Sequence, residues 1–143
     1  MRLWHKDLIP VLPNKQLLGQ WRECVAIASN IKRTGSPNHL LVNKIMNYKL
    51  SHFYKYCQMI TGEMYSRGYI PHSLSTEKIM EIAPADIQME ADVYITHDDL
   101  FMGWHNHRYL MQCLYNLQEK YDCGGVSESE WRRITSKFDM EEK

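Results

Sequence analysis

Apolar side chains recur at helical spacing along most of the chain, which predicts an all-α fold. The first pattern begins at Asn14, a residue type that favours helix N-caps, and continues over about 14–31. Its apolar stripe consists of Leu17, Leu18, Trp21, Val25, Ala28 and Ile31. The polar side chains Gln16, Gln20 and Glu23 lie together on another face of the same predicted helix.

Two further long helices are expected over about 50–67 and 106–121. Gly68 ends the first of them, since glycine commonly terminates helices. Ser127 and Glu130 have the spacing of a capping box, which predicts a last helix. The second and third helices bury Leu50, Phe53, Tyr54, Cys57, Ile60 and Met64, and Tyr109, Leu110, Cys113, Leu114 and Leu117.

Shorter elements are expected between these helices. Asn38 is predicted to cap a short helix over 39–48, and another short helix is predicted over about 75–82. Residues 84–94 fit either a helix or a short strand. We therefore expect a compact, single all-α domain over residues 1–143, with three main helices plus short ones and a frayed tail at about 138–143.

Composition narrows the class of protein. The 143 residues are 44% hydrophobic and 24% charged, as in ordinary globular domains, and no apolar run is long enough for a membrane span. The N-terminus lacks the apolar region of a signal peptide, and the four cysteines form no CxxC pair. These features predict a cytoplasmic protein with reduced, mostly buried thiols.

The net charge of zero conceals a strong asymmetry. Residues up to His72 include ten Lys and Arg against three Asp and Glu, whereas the rest include seven against fourteen. The basic half indicates a local anion-binding face. Alternatively, the two halves neutralise each other across an internal contact.

Motifs for nucleotide cofactors and common hydrolases are absent from the sequence: it has no P-loop, GxGxxG, HExxH or GxSxG. His97, His105 and His107 lie near Asp98 and Asp99, so a metal-dependent hydrolase remains an alternative. Their spacing matches no standard structural zinc pattern, and we expect no metal and no cofactor.

The Arg22-Glu23 pair in the first helix is the sharpest chemical feature. Gly19 precedes Glu23 by one turn and Gln16 precedes it by two. Glycine in a helix costs about 1 kcal/mol relative to alanine. We therefore expect position 19 either to admit a ligand or to pack tightly against the N-terminal coil.

The run QLLGQWRE at 16–23 resembles the opening helix of the pyrimidine-dimer DNA glycosylases of the endonuclease V type. YKL at 48–50, Glu63 and RGY at 67–69 also resemble this family, and the opening MRLW together with LLGQWRE at 17–23 is most similar to its small bacterial members. The resemblance covers about the first 70 residues. It implies an all-α, monomeric repair enzyme that acts on damaged double-stranded DNA without metal or redox cofactor.

The resemblance also implies a mechanism. Members of the family flip a nucleotide out of the duplex, and the α-amine of the mature N-terminus attacks the sugar to form a Schiff base. Such amines have a reference pKa of about 7.7–8.0, against about 10.4 for lysine. The family's glutamate corresponds to Glu23, as acid, base and cation stabiliser, and its arginine corresponds to Arg22, which grips phosphate. The implied activity is a DNA glycosylase with abasic-site lyase activity on damaged pyrimidines.

Three positions depart from the family pattern. Arg2 is too large for the usual removal of the initiator methionine, so either Met1 is retained and its amine is the nucleophile, or the lyase chemistry is lost or altered. Gln16 replaces a histidine, and Ala26 replaces an arginine. A non-catalytic, helical nucleic-acid-binding module is therefore the main alternative.

The expected site residues are few. The catalytic pair is Met1 and Glu23. The expected DNA-binding residues are Arg2, Lys15, Gln16, Arg22, Lys32 and Arg33, and the further polar candidates are Gln20, His39 and Asn43. For His39 and Asn43, helix capping or core hydrogen bonding is an equally good expectation. Aromatic residues expected in the core rather than against bases are Trp4, Trp21, Tyr48, Tyr54 and Tyr56.

Overall fold

The computed structural model describes residues 1–138 and confirms an all-α fold. The six α-helices in this range are α1 (Asn14–Thr34), α2 (Leu50–Ser66), α3 (Ser73–Met80), α4 (Ala85–Tyr94), α5 (His107–Asp122) and α6 (Glu128–Lys137). Two 3₁₀ helices cover Lys6–Val11 and Asn43–Asn47. No β-strand occurs within residues 1–138. Most of the tail for which we predicted fraying, residues 139–143, lies outside the described residues.

Helix α1 begins where Pro13 ends the preceding turn, but the predicted cap is wrong. The Asn14 side chain makes no capping hydrogen bond; its Oδ1 accepts one from Nη1 of Arg67 at 2.9 Å. The helix continues three residues beyond the predicted end. It stops at Gly35, whose positive φ of 80° suits glycine and whose N–H donates to the Ile31 carbonyl.

The segment after α1 differs most from its prediction, because the short helix expected over 39–48 is wrong. Asn38 has a φ of 59°, and its Nδ2 donates to Oγ1 of Thr34 at 2.9 Å instead of capping a helix. Only Asn43–Asn47 is helical, as a 3₁₀ helix. The left-handed Asn38 breaks the helical path, and a hydrogen-bonded turn follows it.

The other short elements are helices. Helix α3 starts two residues earlier than predicted, after a turn in which the His72 side chain accepts a hydrogen bond from the Leu74 backbone. Helix α4 occupies most of the ambiguous stretch 84–94, so the strand alternative is wrong. The predicted capping box at Ser127 is confirmed and opens α6.

Helix α2 packs at the centre of the fold. It contacts α1, α4 and both 3₁₀ helices, and α5 packs on α6. Four aromatic residues expected in the core are buried, namely Trp4, Trp21, Tyr54 and Tyr56, whereas Tyr48 is half-buried. The free thiols of Cys24, Cys57 and Cys113 are buried too, and that of Cys123 is exposed. None of the helices within residues 1–138 is long and apolar enough to cross a membrane.

Candidate active site

The first five residues form an extended segment that is held by side chains rather than by a sheet. Gln20 of α1 is fully buried and makes two hydrogen bonds to this segment. Its Oε1 accepts from the Trp4 N–H at 2.7 Å, and its Nε2 donates to the Arg2 carbonyl at 2.9 Å. A buried backbone needs such partners, because unpaired polar groups are costly away from water.

Two tyrosines hold the same segment from the other helices. The Tyr56 hydroxyl on α2 donates to the Trp4 carbonyl at 2.6 Å, and the Tyr109 hydroxyl on α5 donates to the Leu3 carbonyl. Side chains from α1, α2 and α5 therefore fix residues 2–4. Both tyrosines were expected in the core, but nothing in the sequence predicts their hydrogen bonds to the N-terminal segment.

Glu23 lies beside the start of this segment. Its Oε2 accepts hydrogen bonds from the Arg2 N–H at 3.4 Å and from Nε2 of Gln20 at 3.3 Å. The α-amine of Met1 is one residue away from the first of these bonds, which limits its distance from the carboxylate to about 7 Å. Met1 itself is 38% exposed. The amine therefore lies near a half-buried carboxylate, on a residue that is itself exposed.

The Arg2 side chain lines a cleft next to this point. Its guanidinium lies over the Trp4 ring, 5.3 Å from the centroid, and Nη1 is 4.0 Å from Sγ of Cys113. The cleft has a volume of about 410 Å³. Its lining includes Arg2, Leu40, Leu41, Lys44, Trp104 and Tyr109. A cationic, partly aromatic cleft thus adjoins the N-terminal residue.

Three cations lie along one exposed face of α1. Lys15, Arg22 and Arg33 are separated by seven and eleven residues, close to two and three helical turns. At 1.5 Å per residue the row is about 27 Å long. Gln16 and Glu23 each follow a member of the row by one residue and lie about a quarter turn from it. The row is long enough to span several phosphates of a nucleic acid backbone.

Lys32 does not belong to this row. It follows Glu23 by nine residues, or about two and a half turns, so it lies on the side of α1 opposite Glu23, about a quarter turn from the row. Its Nζ pairs with Oε2 of Glu81 on α3 at 2.8 Å. We therefore leave Lys32 out of the proposed DNA-binding face.

Gly19 lies on the open face of α1, and the expected packing of the N-terminal coil across it is wrong. A Cβ at this position would meet only Nη2 of Arg22, at 3.8 Å, within the described part of the chain. That distance is an ordinary van der Waals contact. The ligand-admitting alternative for position 19 therefore remains.

The other polar candidates have local partners. Oδ1 of Asn43 accepts from the His39 N–H at 3.1 Å, and Nδ1 of His39 accepts from the Leu41 N–H at 3.3 Å. Both residues thus have the turn-capping role that was one of two expectations. Oε1 of Gln16 is buried and accepts no hydrogen bond from any residue among 1–138.

The three histidines that suggested a metal point to different surroundings. His105 is buried and its Nδ1 accepts from the Lys6 N–H at 3.0 Å. Nε2 of His97 contacts Oδ1 of Asp7 at 2.6 Å, while His107 is exposed in the first turn of α5. Residues 1–138 contain no group of three or more His, Cys, Asp or Glu side chains that could hold a metal ion.

Lys6 joins the N-terminal segment to the loop before α5 through side-chain hydrogen bonds. These bonds were not predicted from the sequence. Its Nζ donates to the carbonyls of His97, Asp98 and Leu100, although the side chain is buried. Burial lowers the pKa of Lys6, while nearby carboxylates oppose this effect. The available signal was the polar group His5-Lys6-Asp7 between the apolar residues Leu3-Trp4 and Leu8-Ile9.

The family model described as pyrimidine dimer DNA glycosylase matches residues 1–77, more than half of the chain. The chain belongs to this family. The resemblance seen in the sequence is thereby confirmed. Searches of curated proteins and of solved structures gave no match.

Membership of the pyrimidine dimer DNA glycosylase family makes the chain a DNA repair glycosylase in general terms, with DNA as its substrate. The match includes Met1, Glu23 and the whole of α1 and α2. It ends within α3, so Trp104 and Tyr109 lie outside it. The part of the chain beyond the match nevertheless completes the cleft and holds the N-terminal segment.

Proposed function

We propose that this protein is a DNA glycosylase with abasic-site lyase activity on damaged pyrimidines. The proposed nucleophile is the α-amine of Met1, and the proposed acid, base and cation stabiliser is Glu23. The hydrogen bond from the Arg2 N–H to Oε2 of Glu23 is the observation that supports this assignment most directly. It brings the residue that bears the amine next to the carboxylate.

In the first step the amine lone pair attacks C1′ of the damaged nucleotide. The C1′–N bond to the base breaks, and the base leaves with the bonding electrons. The C1′–O4′ bond then opens, and the two amine protons pass to O4′ and to the departing base, which leaves an imine between Met1 and the sugar. Positive charge develops on the sugar during this step, and the Glu23 carboxylate stabilises it electrostatically.

In the second step the imine makes the C2′ proton acidic. Glu23 accepts that proton, the electron pair forms a C2′–C3′ double bond, and the 3′ phosphate leaves. Water then hydrolyses the imine and frees the amine. Arg2 and Arg22 are suited to hold the flanking phosphates, because guanidinium groups bind phosphate through paired hydrogen bonds.

The proposal is tested with tag-free protein and a duplex that contains one abasic site. Borohydride should reduce the imine and leave a covalent adduct at residue 1, and unreduced reactions should give a nicked strand. Glu23→Gln should lower the nicking rate by about 10² to 10⁴-fold, because the amide cannot transfer the proton. It should keep the hydrogen bond to the Arg2 N–H.

Glu77→Gln, an exposed position on α3, is the matched control and should nick at the unsubstituted rate. An uncleavable N-terminal tag should abolish both nicking and trapping. An adduct mapped to a lysine, or none at all, contradicts the proposal. DNA binding without nicking, unaffected by Glu23→Gln, would instead support the non-catalytic module.

A further inference from the structure

The segment between α1 and α2 presents two leucines to solvent at a tightly held turn. We call Leu40 and Leu41 the leucine tip; Leu40 is 89% exposed and Leu41 is 55% exposed. Isolated exposed leucines are common and need no explanation. Two adjacent ones at the rim of a functional cleft are less easily explained by chance.

The turn that bears the leucine tip is anchored on both sides. Pro37 before it and Val42 after it are buried. Nδ2 of Asn30 donates to the Pro37 carbonyl at 3.0 Å, and the His39 carbonyl accepts from the N–H groups of Val42 and Asn43 at 3.1 and 2.9 Å. The leucine tip is therefore preorganised outside the core and is not part of a loose loop.

The surroundings of the leucine tip are cationic. The tip lines the same cleft as Arg2 and Lys44. A smaller cleft of about 270 Å³ adjoins it and is lined in part by Lys44 and Arg108. Neither lining includes a carboxylate from the described residues. This charge fits a polyanion, so DNA is the occupant to which we commit.

We propose that the leucine tip is a wedge that enters the base stack of the duplex where a nucleotide is flipped out. Leu40 is the residue that enters the stack, because it is the more exposed of the two, and Leu41 follows it at the rim of the cleft. This inference rests on the proposed function, since a flipped nucleotide is what leaves a gap. Leucine is among the apolar side chains that proteins insert between base steps.

Insertion has a physical benefit at this place. Extruding a nucleotide exposes the faces of its neighbours to water, and an apolar side chain in the gap covers them again. The N–H of Arg2, which lines the same cleft, bonds Glu23, so the wedge and the proposed reacting centre lie on one side of the molecule. The wedge would therefore hold the flipped state while the amine attacks.

The first test needs no catalysis. A duplex carrying a tetrahydrofuran abasic analogue, which cannot form an imine, is labelled with 2-aminopurine beside the analogue. The emission of 2-aminopurine rises when it is unstacked. Leu40→Ala should reduce the rise at saturating protein by about half or more, and Leu40→Met should restore it. Ile70→Ala is the matched control, because Ile70 is 82% exposed and lies away from the cleft lining.

The second test compares nicking of the same abasic strand in duplex and single-stranded form. A single strand has no stack to enter, so Leu40→Ala should lower the ratio of duplex to single-strand rates about tenfold. Ile70→Ala should leave that ratio unchanged. An unchanged ratio for Leu40→Ala, or an equal loss on both substrates, overturns the wedge. An unsubstituted protein that nicks neither substrate contradicts the proposed function, while the fluorescence result still decides the wedge.

Discussion

His105 is a buried titratable residue whose protonation bears on stability. Its ring packs among Phe101, Trp104 and Tyr109, and its Nδ1 accepts from the Lys6 N–H. Burial is the main cause that lowers its pKa from 6.5 to about 2, and the nearby His5 and Lys6 add to the effect. The residue is therefore neutral in the folded protein at any pH above about 2.

This difference predicts acid destabilisation. Below pH 6.5 the unfolded chain binds a proton at position 105 that the folded protein does not bind until about pH 2. The free energy of unfolding therefore falls as the pH drops through this window, by up to about 1.4 kcal/mol per unit. Between pH 7 and pH 5 the loss due to His105 should be about 2 kcal/mol.

Urea unfolding of His105→Asn at the two pH values checks this prediction. Asparagine keeps an acceptor for the Lys6 N–H but does not titrate, so the variant should lose about 2 kcal/mol less than the unsubstituted protein. His107→Asn, at an exposed position, is the control and should behave as the unsubstituted protein. Equal pH dependence in all three proteins would contradict the assignment. The free energy of unfolding of His105→Asn should still fall somewhat in acid, because burial also lowers the pKa of His5.

At the scale of elements, α1 provides the Glu23 carboxylate, the Gln20 side chain that holds the N-terminal segment, and the row of Lys15, Arg22 and Arg33. Substitution of Gly19 in α1 can be compared with substitution of Gly62 in α2, because both positions have room for a Cβ. Gly19→Ala and Gly62→Ala should each raise the free energy of unfolding by up to about 1 kcal/mol, because alanine favours helix. Only Gly19→Ala should weaken binding to duplex DNA, because its methyl group stands within the cationic row.

Thermal unfolding and fluorescence anisotropy measure these two effects. A Gly19→Ala protein that binds DNA as tightly as the unsubstituted protein would mean that no ligand approaches the helix at this position. Loss of affinity in Gly62→Ala would mean that the effect comes from helix rigidity and not from the local surface.

The elements differ in how far their sequences specified them. Helices α1, α2, α5 and α6 follow from apolar periodicity and from end signals such as Gly68 and the capping box at Ser127. The segment 39–48 was mispredicted because its path depends on the left-handed Asn38. Proximity of Met1 and Glu23 was foreseen from the family resemblance. The hydrogen bonds of Gln20, Tyr56 and Tyr109 to residues 2–4 were not foreseen, because they pair backbone groups with side chains far away in the sequence.

At the scale of the whole molecule, the basic and acidic halves meet at ion pairs. Lys32 pairs with Glu81 at 2.8 Å, and Nζ of Lys49 is 3.8 Å from Oε2 of Glu90. The internal contact between the two halves is thus present at these pairs, while the anion-binding face stays a prediction. Some basic residues are neutralised internally, while the row of Lys15, Arg22 and Arg33 faces solvent.

The difference between paired and solvent-facing basic residues predicts which cations set the salt dependence of DNA binding. Each phosphate contact contributes about 0.9 to the slope of log K against log salt concentration. Arg22→Gln and Arg33→Gln should each reduce the slope by about that amount. Lys32→Gln should leave it unchanged, because Lys32 is paired with Glu81 on the side of α1 that faces away from Glu23. Equal slopes in all four proteins, from titrations at several salt concentrations, would refute the proposed row.

The attachment of the N-terminal segment has a consequence for synthesis of the protein. The groups that hold residues 2–4 come from positions 18, 52 and 106 residues further along the chain. We therefore expect residues 2–4 to complete their hydrogen bonds last, after α5 has been made and has folded. A fragment that stops at residue 77 would retain the entire stretch by which the family is recognised, yet lack the Tyr109 hydrogen bond that helps to position the Met1 amine.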